Sequence, residues 1–200
     1  MMQKEIDVTA LGELLIDFTE NGVSSQGNAL LEANPGGAPC NVLAMLGKLG
    51  KKTAFIGKVG NDQFGNMLRN TIESVGIDAE GLVIDDKVHT TLAFVHTYPD
   101  GDRDFSFYRN PGADMMLRKE EVSLEKICAS KIFHFGTLSM THPGVRAATK
   151  KAIAVAKEAG ALISFDPNIR KPLWDSMEDA REQVLYGLGP VSYTHLTLPT

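Results

Sequence analysis

The sequence predicts an α/β protein: a mostly parallel sheet covered by helices on both faces, with a small β lid beside it. Short apolar β-prone runs alternate with segments of helical spacing, which implies parallel strands joined by crossover helices. Glycine turns, Gly36-Gly37 and Gly57-Lys58-Val59-Gly60, stand where strands hand over to helices. A hairpin signal, Tyr98-Pro99-Asp100-Gly101-Asp102, interrupts that alternation and is assigned to the lid. The 200 residues are 43 % hydrophobic and 22 % charged, which suits a soluble globular chain with a sizeable core and one domain as the default.

Ile6–Leu11 is a short β-prone run ending at Gly12, and Leu14–Phe18 is a second. Ser24–Leu31 reads as polar and turn-like. Gly36 and Gly37 allow positive φ and close approach to a ligand. The helix that follows, Pro39 to Lys48, directs its free N–H groups over that turn. On it, the Asn41 amide suits a polyhydroxylated ligand that offers donors and acceptors. Thr53–Val59 is an apolar strand. Asp62–Val75 has helical spacing, with Phe64, Leu68, Ile72 and Val75 on one face and Gly76 at its end. Asp62 reads equally as its N-cap or as a ligand.

Thr90–Thr97 and Arg103–Arg109 are the alternating arms of the hairpin. Lys131–Phe135 is a buried-type strand closed by Gly136; its His134 reads as a core histidine rather than a base. Pro143 opens a helix that Gly160 stops. Ala161–Phe165 is the next strand, and its C-terminal end carries Asp166, Asn168 and Arg170, the end where ligands bind in open α/β sheets. Asp179–Leu188 is a last helix.

Composition narrows the function classes. A net charge of −5 argues against nucleic acid, whose phosphates need a basic face. Cys40 and Cys128 lack metal or redox spacing, which fits a reducing compartment. No apolar signal segment and no window of membrane-span length is visible, so the expectation is a cytoplasmic protein without a membrane partner. Gly50-Lys51-Lys52-Thr53 fails as a phosphate-binding P-loop, because position 45 is methionine and no Ser or Thr follows the first lysine directly.

Three blocks carry a family resemblance: Gly36-Gly37-Ala38-Pro39-Cys40-Asn41 through Asp62, then Asp100 to Asp114, then Ser164 to Trp174. In this order they resemble PfkB-type, ribokinase-like carbohydrate kinases, and fructokinases most closely, over residues 7–189. One position departs from the pattern, Leu43, where the family usually has a small residue. The resemblance implies a ribokinase-like three-layer α/β/α fold and ATP-dependent, Mg²⁺-assisted phosphorylation of a sugar hydroxyl. Fructose is the first choice of substrate and 2-keto-3-deoxygluconate the alternative. It also implies lid segments near 12–35 and 88–110, and a homodimer through lid strands.

The resemblance assigns the sugar to Asp17, Gly36, Gly37, Asn41, Phe107 and Arg109. For Asp17 the plain alternative is a solvated strand-end carboxylate. For Arg109 it is a structural pair with Asp102 or Asp114. Asn168 and Arg170 are assigned to the nucleotide phosphates, and Asp166 to orienting them or a hydrated magnesium ion, against an ordinary Asp-Pro-Asn turn. The resemblance further implies a later Gly-Ala-Gly-Asp segment, whose aspartate is the base, and an Asn-x-x-Glu motif that positions magnesium. Both are expected beyond the chain's last residue, so no catalytic base is named. Residues 1–189 then read as the N-terminal portion of a kinase domain and 190–200 as a non-native tail. A sugar-binding module or incomplete fold is the competing expectation for the chain alone.

Overall fold

The computed structural model describes residues 4–98 and 100–191; Pro99 and the expected tail from residue 192 onward lie outside the described residues. The chain runs β1 (Ile6–Leu11), β2 (Leu15–Val23), β3 (Ala29–Gly36), α1 (Ala38–Lys48), β4 (Thr53–Gly60), α2 (Gln63–Ser74) and β5 (Ile77–Asp85). It continues through β6 (Leu92–Thr97), β7 (Arg103–Tyr108), α3 (Leu124–Cys128), β8 (Ser130–Gly136), α4 (Pro143–Glu158), β9 (Leu162–Asp166) and α5 (Met177–Leu188).

Five strands form a sheet in the order β5-β4-β1-β8-β9, every neighbouring pair parallel. Its inner strands β4, β1 and β8 are covered on both faces and read as largely apolar runs rather than strictly alternating ones. β4 is buried at every position. Its one cation, Lys58, is neutralised by Asp85 and Glu121, each at 3.0 Å. The pleat sorts side chains between two cores. Val8, Ala10 and Phe55 pack with Cys40 and Leu43 of α1 and Leu68 and Ile72 of α2. Leu11, Ile56, Phe133 and Phe135 pack with Val145, Ala148 and Ala152 of α4. Leu43 is fully buried in the first core.

A second sheet, in the order β3-β2-β6-β7, is antiparallel at both edges and parallel between β2 and β6. Only Gly12, Glu13 and Leu14 separate β1 from β2, so this sheet is rooted at the C-terminal end of the large sheet's central strand. Two strands differ from the expectation. The sequence predicts a turn over Ser24–Leu31, whereas Ala29–Gly36 is β3, a largely exposed edge strand specified by its pairing with β2 rather than by apolar pattern. Ile77–Asp85, assigned no element from sequence, is β5 on the edge of the large sheet. Its carboxylates disguise it: Asp78 and Glu80 pair with Lys126, and Asp85 with Lys58. Helix α2 begins where Asp62 caps it, accepting from the Gly65 N–H at 2.8 Å. No helix among the described residues is long and apolar enough to cross a membrane.

Candidate functional site

The C-terminal ends of the parallel strands and one face of the small sheet enclose a cleft of about 530 Å³. Period-2 alternation makes that wall. Leu15, Asp17 and Thr19 of β2, Val95 and Thr97 of β6, and Arg103, Phe105 and Phe107 of β7 all line it. The intervening residues turn away: Phe18 stacks on Phe94 at 5.1 Å between centroids, and Tyr108 meets Phe94 edge-on at 5.2 Å. Phe105 and Phe107 stack at 5.9 Å on the cleft face.

The opposite wall comes from the turn into α1 and the loops after β8 and β9. Gly37, Ala38 and Asn41 line it, with Leu138, Asn168 and Arg170. Both glycines are required by close approach. A Cβ on Gly36 would run into the Asp17 carboxylate. Gly37 has φ +123°, and a Cβ there would collide with the Glu13 carbonyl oxygen. Asp17 is therefore held against the glycine turn, opposite Asn34 in the β2–β3 register. Burial pushes the Asp17 carboxyl pKa up, opposed by the positive charge of Arg170.

Arg170 donates to the Asn168 side-chain oxygen and lies over the Phe105 ring, 5.3 Å from its centroid. Among the described residues neither Arg170 nor Arg103 is within ion-pair distance of a carboxylate. Two guanidinium groups thus face the cleft with free donors, a set suited to carboxylate or phosphate oxygens. Asp166 closes β9, half-buried, and is not a lining residue.

Arg109 is a correction. Its guanidinium is buried and donates to Asp114 Oδ2 from Nε at 2.8 Å and from Nη2 at 2.6 Å. Nη1 also donates to Thr141 Oγ1 at 2.9 Å and Nη2 to the Leu138 carbonyl at 3.1 Å. The structural pairing with Asp114 is what forms, and the side chain does not line the cleft. An Asn-x-x-Glu string does occur within the chain, Asn70 to Glu73 on α2, but Glu73 pairs with Arg69 on an exposed face and neither end lines the cleft. His134 is a buried sheet residue bonded to Ser164 Oγ at 3.0 Å, its pKa lowered by burial.

Sequence reasoning passed over Glu13, Arg103, Phe105 and Asn34. The alternation Arg103, Phe105, Phe107 carries three of the wall's residues in plain view. Glu13 is a lone carboxylate between the apolar runs Ala10-Leu11 and Leu14-Leu15-Ile16, a burial that calls for a purpose. Burial pushes its pKa up to about 7.

A parallel sheet packed by helices on both faces, with a polar cleft at its strand ends, is the shape of a small-molecule site in an open α/β sheet. Residues 5–193 match the pfkB family carbohydrate kinase model, and the chain belongs to that family. It is 50 % identical over 181 residues to "Probable fructokinase-2" of Arabidopsis thaliana, covering 89 % of this chain and 55 % of that protein. It is 49 % identical over 180 residues to "Fructokinase-2" of Solanum lycopersicum, covering 88 % and 55 %. The crystal structure of an ATP-bound fructokinase from Xylella fastidiosa superposes with a TM-score of 0.87 at 33 % identity, over 95 % of this chain and 60 % of that one. The chain spans about half the length of the curated relatives it matches.

Proposed function

We propose that the protein carrying this chain is a fructokinase, transferring the γ-phosphoryl group of ATP to the hydroxymethyl oxygen at carbon six of fructose. One observation supports this most: the Asp17 carboxylate and Asn41 amide share a cleft of sugar size with the Arg170 guanidinium, which no carboxylate among the described residues neutralises. In this reading Asp17 and Asn41 take sugar hydroxyls, which a carboxylate and an amide bind as acceptor and mixed partner. Phe107 lies against the carbon skeleton. Asn168 and Arg170 hold phosphate oxygens, whose spread charge needs preorganised donors. A magnesium ion, where bound, would supply positive charge beside the phosphates. It needs only one or two carboxylates besides phosphates and waters, and Asp166 is this chain's candidate. The small sheet serves as a lid that keeps water from the transferring group, and its exposed edges are the proposed homodimer contact.

The base that takes the hydroxyl proton is proposed to lie in a Gly-Ala-Gly-Asp segment outside these 200 residues. These 200 residues by themselves are proposed to be inactive in phosphoryl transfer. Arg103 and Arg170 favour a second reading, a carboxylate-bearing sugar such as 2-keto-3-deoxygluconate. Incubating the protein carrying this chain with ATP, Mg²⁺ and each of fructose, 2-keto-3-deoxygluconate, ribose and adenosine, and following ADP release, decides between them. Turnover of fructose is expected; turnover of ketodeoxygluconate with fructose inert would overturn the choice.

A further inference from the structure

Glu13 is the least explained polar group of the cleft. It sits in the short link between β1 and β2, the junction of the two sheets, and is 4 % exposed. Its Oε1 accepts the N–H of Ala38, the first residue of α1, at 2.9 Å. Its Oε2 is buried and meets no protein donor. Leaving one carboxylate oxygen unsatisfied in the interior is costly, yet Glu13 lines the same cleft as Asp17 and Asn41. Its neighbours cannot relieve it. Arg109 and Asp114 neutralise each other, and the Cys40 thiol has its own pKa pushed far up by burial and by Glu13. The other charged groups that line the same cleft are Asp17, Arg103 and Arg170. Neither arginine is within ion-pair distance of Glu13.

We propose that Glu13 is a further substrate-binding residue: Oε2 accepts a hydrogen bond from a hydroxyl of the polyol in the cleft, while Oε1 holds the first turn of α1. This rests on the sugar reading of the cleft. The ligand class follows from the geometry. A hydroxyl can donate to a buried carboxylate without bringing a charge, whereas an anionic group would be repelled. Because the free group titrates near neutrality, a sugar that prefers the carboxylate displaces its proton, and linkage makes affinity fall as the medium turns acidic.

The test is calorimetric titration of the protein carrying this chain with fructose from pH 5.5 to 8.5, in two buffers of different ionisation enthalpy. The wild type is expected to release up to about half a proton per sugar near pH 7. Glu13→Gln keeps a carbonyl for Ala38 but replaces the second acceptor by a donor. It is expected to bind about ten-fold or more weakly at pH 8 and to release no proton near neutrality; Asp17 titrates in both proteins and cancels from the comparison. Equal affinity and equal proton release in the variant would overturn the proposal. So would wild-type binding without proton release, which leaves Glu13 a purely structural tie. If the wild type binds no fructose at any pH, the sugar reading itself fails and takes this inference with it.

Discussion

Asp114→Ala is the perturbation with the most calculable consequence. Asp114 accepts two donors from Arg109, at 2.8 and 2.6 Å, and the Thr91 hydroxyl at 2.5 Å. The two side chains are 2 % and 3 % exposed, so water cannot replace the lost partner. Removing one member of a buried pair leaves the other charge uncompensated, at a cost of about 3–5 kcal/mol. For a chain of this size each kcal/mol is worth roughly 2–4 °C, so the melting temperature should fall by roughly 6–20 °C. Urea denaturation followed by circular dichroism measures the loss. The double variant Arg109→Met/Asp114→Leu, which replaces the pair by apolar groups, should recover a large part of it. Fructose affinity of folded Arg109→Met should stay within about two-fold of wild type, because Arg109 does not line the cleft. An Arg109→Met protein of unchanged stability that no longer binds fructose would refute this reasoning and return the arginine to the sugar.

Three other outcomes follow from the same geometry. Gly37→Ala must adopt φ +123° and displace the Glu13 carbonyl, so it should lose about 2–4 kcal/mol of stability together with sugar binding, read by thermal melts and titration. Asp62→Ala removes the α2 cap and the bonds to the Thr90 N–H and hydroxyl, all at 2.8 Å, for about 2–3 kcal/mol by urea titration. Burial raises the Asp62 pKa but those donors outweigh it and lower the net value below 3.8, so its contribution is complete above that pH and fades below it. Glu13 has the opposite sign. Its pKa is raised from 4.5 to about 7, so wild-type stability falls as pH rises through that window, and Glu13→Gln should be more stable at pH 8. The gap is at most about 3–4 kcal/mol, from about 2.5 pKa units at 1.36 kcal/mol each; equal melting temperatures at pH 8 would count against it.

Elements with a buried apolar face were legible in the sequence: β1, β4, β8, β9 and helices α1, α2, α4 and α5 fall within a few residues of their expected bounds. Two of the edge strands were not. β3 exposes most of its residues and β5 hides its β character behind Asp78, Glu80 and Asp85; both are specified by partners distant in sequence. The site divides in the same way. The placement of Asp17, Gly37, Asn41, Phe107, Asn168 and Arg170 around one cleft follows from motif blocks at strand ends. Arg109 was misassigned because a strand arginine beside aromatic residues looks alike whether it faces a ligand or a buried aspartate five residues on. Only the fold around Thr141 and Leu138 decides that. Glu13 and Arg103 acquire meaning once the two sheets are set against each other.

The central claim is that this cleft is the sugar subsite, and a crystal structure of the protein with fructose tests it most directly. The account predicts fructose between the two sheets, with hydroxyl oxygens at hydrogen-bond distance, about 2.5–3.2 Å, from the Asp17 carboxylate and the Asn41 amide. Fructose bound at another surface, or an empty cleft at saturating fructose, would contradict it.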